Sequence, residues 1–276
     1  ASYTPTADIT LYAQWTDCGK GNWCADGTKT ACSTYGANYT TDSANATKAE
    51  ECYLNVAGAY VRKGTTGTEL VSCATGTYKG SHKAYYGTEY TCSSCSNKPT
   101  HSSYTGNATT NSCPYSCSAG YEGTDCAAIN YSITYEENGG SSVADNTYTI
   151  ETATFSLPTP TRNGYTFAGW YTASTGGTKV TQIAKGTTGN KTFYARWDIV
   201  TYTITYTLNG GTNSSSNPSS YTIESDTITL VKASRTGYTF AGWTENGTAI
   251  TQISKGSTGD KTLVANWEAN KYTITL

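Results

Sequence analysis

The sequence predicts a mostly β, multi-domain protein: a disulfide-rich segment of loops and hairpins, then small β units in tandem. Three observations carry this. All ten cysteines stand in the first 126 of 276 residues. The string Gly164-Tyr-Thr-Phe-Ala-Gly-Trp170 returns unchanged as Gly237-Tyr-Thr-Phe-Ala-Gly-Trp243. Large residues alternate with small polar ones around those strings, the period of two that lays one face of a strand on a core.

Composition narrows the function classes. The net charge is −2 and only 14% of residues are charged. A surface that tracks phosphates needs clustered Lys and Arg, so a nucleic-acid partner is not expected. The polar share is mainly Ser and Thr, and 24 Tyr with 6 Trp argue against a disordered chain. No apolar run approaches the ~20 residues that cross a bilayer, so no membrane insertion is expected here, and no signal peptide is visible. Met is absent, initiator included, which gives the expectation of a piece processed from a longer protein.

Taken in order, residues 1–15 end in Asp8-Ile-Thr-Leu-Tyr-Ala-Gln-Trp15, which reads as the closing strand of a preceding repeat. Residues 16–128 carry Cys18, Cys24, Cys32, Cys52, Cys73, Cys92, Cys95, Cys113, Cys117 and Cys126. An even number of cysteines in a stretch poor in aliphatic residues reads as a disulfide framework, because such a stretch cannot hold itself together by apolar burial. Disulfides persist outside the reducing cytosol, so the expected location is extracellular, secreted or on the cell surface. Loops of this size each contribute about 3 kcal/mol in the chain-entropy model. The sharper alternative is a four-thiolate zinc site on Cys92, Cys95, Cys113 and Cys117, whose spacing nearly fits. Six further cysteines in the same segment weigh toward disulfides and no metal.

Residues 130–198 and 201–268 form the repeats. Tyr131-Ser-Ile-Thr-Tyr135 leads to Asn138-Gly-Gly140, and Tyr202-Thr-Ile-Thr-Tyr206 leads to Asn209-Gly-Gly211. Tyr202, Ile204, Tyr206 and Leu208 share one face with Thr between them, and Asn-Gly-Gly supplies the positive φ of a tight turn. The segment Gly186 to Trp197 returns as Gly256 to Trp267 with seven of twelve positions identical. In it Phe193, Ala195 and Trp197 face one way, Tyr194 and Arg196 the other. Gly169 beside Trp170 would let a neighbouring backbone approach the ring. Lys179 to Ala184 and Ala249 to Ser254 are too brief to decide between strand and one helical turn. Tyr272-Thr-Ile-Thr-Leu276 opens residues 271–276 as the first strand of a following repeat.

These motifs resemble the Listeria–Bacteroides repeat, also called the internalin B-repeat, in two full copies plus stubs. The resemblance implies a small β-grasp-like module, arrayed in an elongated series on bacterial surface proteins as a stalk or interaction segment. It implies a structural role for the motif residues Tyr165, Phe167, Trp170, Trp197, Tyr238, Phe240, Trp243 and Trp267 as repeat core, and offers no catalytic set. Upstream, Cys117-x-x-Gly120-Tyr121-x-Gly123-x-x-Cys126 is similar to the last loop of an epidermal-growth-factor-like module, whose outer cysteines pair; that module's further Cys is missing, since Tyr115 stands in its place. The wider rhythm is similar to tumour-necrosis-factor-receptor-like and growth-factor-receptor-like Cys-rich repeats. With these likenesses the expected pairing is Cys73–Cys92, Cys95–Cys113 and Cys117–Cys126, with Cys18, Cys24, Cys32 and Cys52 pairing among themselves.

No enzyme and no cofactor are expected. The two histidines, His82 and His101, lack local acidic partners, and the pairs Glu50-Glu51 and Glu136-Glu137 read as exposed. No nucleophile elbow, zinc-protease helix, phosphate loop or calcium loop occurs. A nucleophilic Cys24 or Cys95 would need a free thiol. The seven Asn-x-Ser/Thr sequons, at Asn38, Asn45, Asn107, Asn130, Asn190, Asn213 and Asn246, are near the chance number for this composition. Two functions remain: a structural stalk or fibre-forming spacer whose partners are neighbouring repeats of the same protein, or an adhesin-type module binding a host protein or glycan. Clustering of Tyr171, Tyr194 and Tyr221 on a solvent face would favour binding. The strands expected at residues 8–15 and 272–276 raise the further option of self-association into a fibre.

Overall fold

The computed structural model describes residues 17–274; the strand expected at residues 8–15 lies outside them. The fold divides into two compact units, one ending at Ala128 and the other beginning at Ile129.

The first unit is a set of small hairpins held by sulfur. Asn22–Ala25 pairs with Thr28–Ala31, Tyr53–Val56 with His82–Tyr85, and Tyr60–Arg62 with Leu70–Ser72. Thr77–Tyr78 pairs with Ser93–Ser94, Ser102–Tyr104 with Tyr115–Cys117, and Tyr121–Glu122 with Ala127–Ala128. Two-stranded ribbons of this length are marginal alone, so covalent closure carries the unit. The bonds are Cys18–Cys24, Cys32–Cys52, Cys73–Cys92, Cys95–Cys113 and Cys117–Cys126. A small core forms around Cys32, Cys52, Leu54, Val56 and Ala84.

The second unit holds the two repeats. In the first, β1 (Tyr131–Glu136), β2 (Asn146–Tyr148), β3 (Phe155–Ser156), β4 (Tyr165–Tyr171), β5 (Lys179–Val180), β6 (Gln182–Ile183) and β7 (Lys191–Ile199) follow one another. The second copies them as β8 (Tyr202–Thr207), β9 (Ser220–Tyr221), β10 (Ile228–Thr229), β11 (Tyr238–Glu245), β12 (Thr248–Ile250), β13 (Gln252–Ile253) and β14 (Lys261–Ala269). Each has a five-stranded sheet, in the orders β2-β1-β7-β4-β5 and β9-β8-β14-β11-β12, and a separate ribbon, β3-β6 or β10-β13. First and last strands lie side by side and parallel; the other pairs are antiparallel.

The period-two reading decides which side chains go inside. Ile133, Tyr135, Tyr148, Trp170, Ile183 and Phe193 are buried in one core, and Ile204, Tyr221, Trp243, Ile253 and Leu263 in the other. Phe167, Trp197, Phe240 and Trp267 are half-buried against these cores. The segments left open between strand and helix are strands. Val180 pairs with Trp170 at the edge of the sheet, and Ile183, buried, pairs with Phe155 in the separate ribbon, pairings that suit β-branched residues.

Two side chains expected in the core are not there. Tyr165 is half-buried outside the core cluster and Tyr238 is 36% exposed. They pair with Ile199 and Ala269 at the ends of the long hairpins β4–β7 and β11–β14, beyond the part covered by β1 and β8, so the alternation continues where no core remains. Their rings instead carry Arg162 and Arg235, with guanidinium carbons 3.8 and 3.7 Å from the ring centroids. Residues 271–274 form no strand, and Tyr272 and Ile274 are exposed. The strand expected there finds no pairing partner among the described residues.

Gly169 has a different role from the one its sequence suggests. It has φ +131° at a β-bulge that shifts the β4–β7 register, and a Cβ there would lie 2.4 Å from Lys179 Cε. A lysine stem, not a neighbouring backbone, lies against it. The close approach to an indole belongs to Gly140 and Gly211, where a Cβ would lie 2.4 Å from Cζ2 of Trp197 and Trp267.

Candidate functional site

The cysteines offer no thiol chemistry. Cys92 bonds Cys73, Cys95 bonds Cys113 and Cys117 bonds Cys126, so the four sulfurs of the zinc alternative are divided among three disulfides. Cys24 and Cys95 are likewise not thiols. His82 packs at 4.9 Å on Tyr90, and His101 stacks at 4.1 Å on Tyr121. Among the described residues no group of three His, Cys, Asp or Glu could hold a metal ion.

Arg62 escaped the sequence reading. It is 1% exposed, and its guanidinium donates to the carbonyls of Ala84 (3.2 Å), Tyr85 (2.9 Å) and Thr88 (2.7 Å), as well as to Thr65 and the Tyr39 hydroxyl. Planar geometry with five N–H donors suits such a task. It ties loops that have little apolar area of their own. Nothing in Tyr60-Val-Arg62 distinguishes it from a surface arginine on a hairpin.

The repeats present two places for an interaction. The first is the outer face of the first repeat's sheet. Glu136 lies opposite Tyr194, Tyr194 opposite Tyr171, and Tyr171 opposite Lys179, so these side chains form a row across four strands, away from Trp170 and Phe193. Arg196 sits over the Tyr171 ring at 3.9 Å and donates to the carbonyls of Ala173 (3.2 Å) and Gly176, bracing the 172–178 loop. Tyr221 is not part of this face; it is buried, and its hydroxyl donates to the Gly259 carbonyl. In the second repeat the same row reads Thr207, Val264, Thr244 and Ala249. Asn266 replaces Arg196 and donates to the Gly242 carbonyl (3.1 Å). The loop shortens to a tight turn at Asn246 and Gly247, both with positive φ.

The second place is the junction between the repeats. The Val200 N–H donates to the Gly164 carbonyl (3.0 Å). The Tyr165 hydroxyl donates to the Glu224 carboxylate; this bond raises the Tyr165 pKa above its ordinary value. A Cβ on Gly164 would stand 2.6 Å from Ile223 Cβ, so Ile223 rests on bare backbone. The Thr222–Ser225 turn that presents Ile223 and Glu224 is closed by Thr222 N–H to Ser225 Oγ (2.9 Å).

The two repeats share one sheet order, a tryptophan-centred core and an Asn-Gly-Gly turn, and residues 131–196 and 202–266 both match the Listeria-Bacteroides repeat domain. The two β units are Listeria-Bacteroides repeats. Over 148 residues the chain is 30% identical to a Gly-rich membrane protein of Evansella cellulosilytica, a match covering 52% of this chain and 17% of that protein. Over 116 residues it is 35% identical to internalin H of Listeria monocytogenes, covering 40% of this chain and 20% of internalin H. These matches thus span a fifth or less of the relatives' length. No solved structure matches the chain. Among the described residues no helix is long and apolar enough to cross a membrane.

Proposed function

We propose that this chain is a non-enzymatic, extracellular segment of a bacterial surface protein, in which disulfide-laced hairpins and Listeria-Bacteroides repeats act as a structural spacer. The observation that carries the reading is the direct seating of one repeat on the next through Gly164, Tyr165, Ile223 and Glu224. Repeats that contact only their neighbours add length without needing a shared core. The names of the relatives, a membrane protein and an internalin, support a location at the cell surface. The sheet order, with first and last strands side by side and parallel at the centre, supports a β-grasp-like description.

The second reading is an adhesin-type module, favoured by the Glu136–Tyr194–Tyr171–Lys179 row, which the second repeat lacks. Its partner would be a glycan, stacking on tyrosine, or a host protein. The two readings separate when the chain is displayed on cells beneath a reporter adhesin and the number of repeats is varied. A spacer gives capture that rises with repeat number and is unchanged by Tyr171→Ala with Tyr194→Ala. Capture that depends on those tyrosines and not on repeat number refutes the spacer.

A further inference from the structure

The junction between the repeats has two halves, and each repeat carries both. One half is a receiving face, Arg162-Asn-Gly-Tyr165, with the glycine in the left-handed region (φ +75°) and the arginine stacked on the tyrosine. The other is a presenting turn, Thr222-Ile-Glu-Ser225. The second repeat repeats the receiving face as Arg235-Thr-Gly-Tyr238, with Gly237 at φ +80° and Arg235 over the ring. The first repeat repeats the presenting turn as Thr149-Ile-Glu-Thr152, closed by the same bond, Thr149 N–H to Thr152 Oγ1 (2.9 Å). A surface that presents on one side what it receives on the other is heterologous, so the same contact can be repeated from one unit to the next.

The receiving face of the second repeat is open. Where Gly164 meets Ile223, a Cβ on Gly237 would meet nothing within 4 Å. The exit path of the chain is already set: Asn270 N–H donates to the Gly237 carbonyl at 3.0 Å, as Val200 N–H does to Gly164. The sequence then runs Lys271-Tyr-Thr-Ile-Thr, in register with Thr201-Tyr-Thr-Ile-Thr of the second repeat.

We infer that Arg235, Gly237 and Tyr238 form a docking face for the Thr-Ile-Glu turn of a further repeat of this type, joined in sequence at Tyr272. The isoleucine lies on Gly237 and its glutamate accepts from the Tyr238 hydroxyl. Glycine is required because any Cβ would occupy the isoleucine's place, and the arginine holds the ring at the angle that aims its hydroxyl outward. The inference rests on the spacer reading for its biological sense, since it makes each joint a fixed seat rather than a loose tether.

The test uses the whole chain lengthened at Tyr272 by a copy of residues 203–270, with a second version lengthened by a copy of residues 132–200. Protected strand amides establish that the added repeat folds, and two different added repeats guard against one failing to do so. Docking predicts that peptide-resolved nitration of Tyr238 slows on lengthening, and that Gly237→Ala restores it. It also predicts that Tyr238→Phe and Glu→Gln in the added turn are non-additive, with a coupling of about fivefold in the opening equilibrium, the size of one net hydrogen bond. Tyr165→Phe with Glu224→Gln serves as the internal standard. Equal nitration of Tyr238 in the original and lengthened chains, with additive substitutions at the new joint, overturns the inference. That result would leave surface display untouched, because display is read on cells and docking in solution.

Discussion

Replacing Tyr135 by Phe removes one oxygen from the core of the first repeat, and the structure gives the sign of the effect. The Tyr135 ring is 5% exposed and lies 4.9 Å from Trp170, while its hydroxyl is buried with no hydrogen-bond partner. Its second-repeat equivalent, Tyr206, also packs on the tryptophan, at 5.3 Å from Trp243, but donates to the Pro218 carbonyl at 3.0 Å. An unpaired buried hydroxyl costs about 1–3 kcal/mol, and a paired one contributes about 1 kcal/mol net. Tyr135→Phe is therefore expected to stabilise the first repeat by about 1 kcal/mol, and Tyr206→Phe to destabilise the second by about 1 kcal/mol. The same substitution at matched positions should thus shift the two opening equilibria in opposite directions, about thirtyfold apart. Because the chain has two units and two repeats, a single melting curve does not report either repeat alone. Native-state hydrogen exchange, followed at strand amides of each repeat separately, does. Equal losses at both positions would refute the assignment of Tyr135 as unsatisfied and of its partner as the source of the difference.

Gly164→Ala and Gly237→Ala impose the same left-handed backbone strain, about 1–2 kcal/mol, but only the first drives a methyl into Ile223. Differential exchange should show Gly164→Ala alone loosening the 222–225 turn. Asp260 is held below its ordinary pKa first by the Thr203 N–H (2.8 Å) and then by that residue's hydroxyl, whereas Asn190 fills the same place opposite Ser132 (2.9 Å). A lowered folded-state pKa gives stability that is present above 3.8 and lost as pH falls through the folded value. Acid should therefore weaken the second repeat more than the first, and Asp260→Asn should abolish the difference in exchange measured between pH 5 and 3. Burial raises the pKa of Tyr135, Tyr148, Tyr206 and Tyr221 above 10.0, so both repeats should lose stability as pH rises past that value, seen as a fall in near-ultraviolet dichroism. Arg62→Met strips several buried carbonyls of their donor at once and should cost about 3 kcal/mol or more in urea unfolding of the oxidised first unit; an effect under 1 kcal/mol would contradict the role given to Arg62.

The strands around the invariant string were legible because their large residues fall at every second position and their turns carry Asn-Gly. The same rule misled at Tyr165 and Tyr238. Alternation tells which face a side chain is on, but how far the core extends beneath that face depends on where β1 and β8 stop. The short segments after the tryptophan strands were undecidable in sequence, because two or three residues have no period; the edge of the sheet made β5 and β12 strands, and pairing with β3 and β10 did the same for β6 and β13. Arg62, the Trp197–Gly140 and Trp267–Gly211 contacts, and the seat of Ile223 on Gly164 join residues more than twenty positions apart and leave no local mark.

From its order of residues alone, this protein is determined to be two copies of one β unit after a cysteine-laced segment, since repetition and period are properties of the chain itself. Which tyrosines are buried, which glycines make room for a neighbour and which surfaces meet are decided only by the folded structure. They follow from distances between residues remote in sequence, and the fold sets those distances.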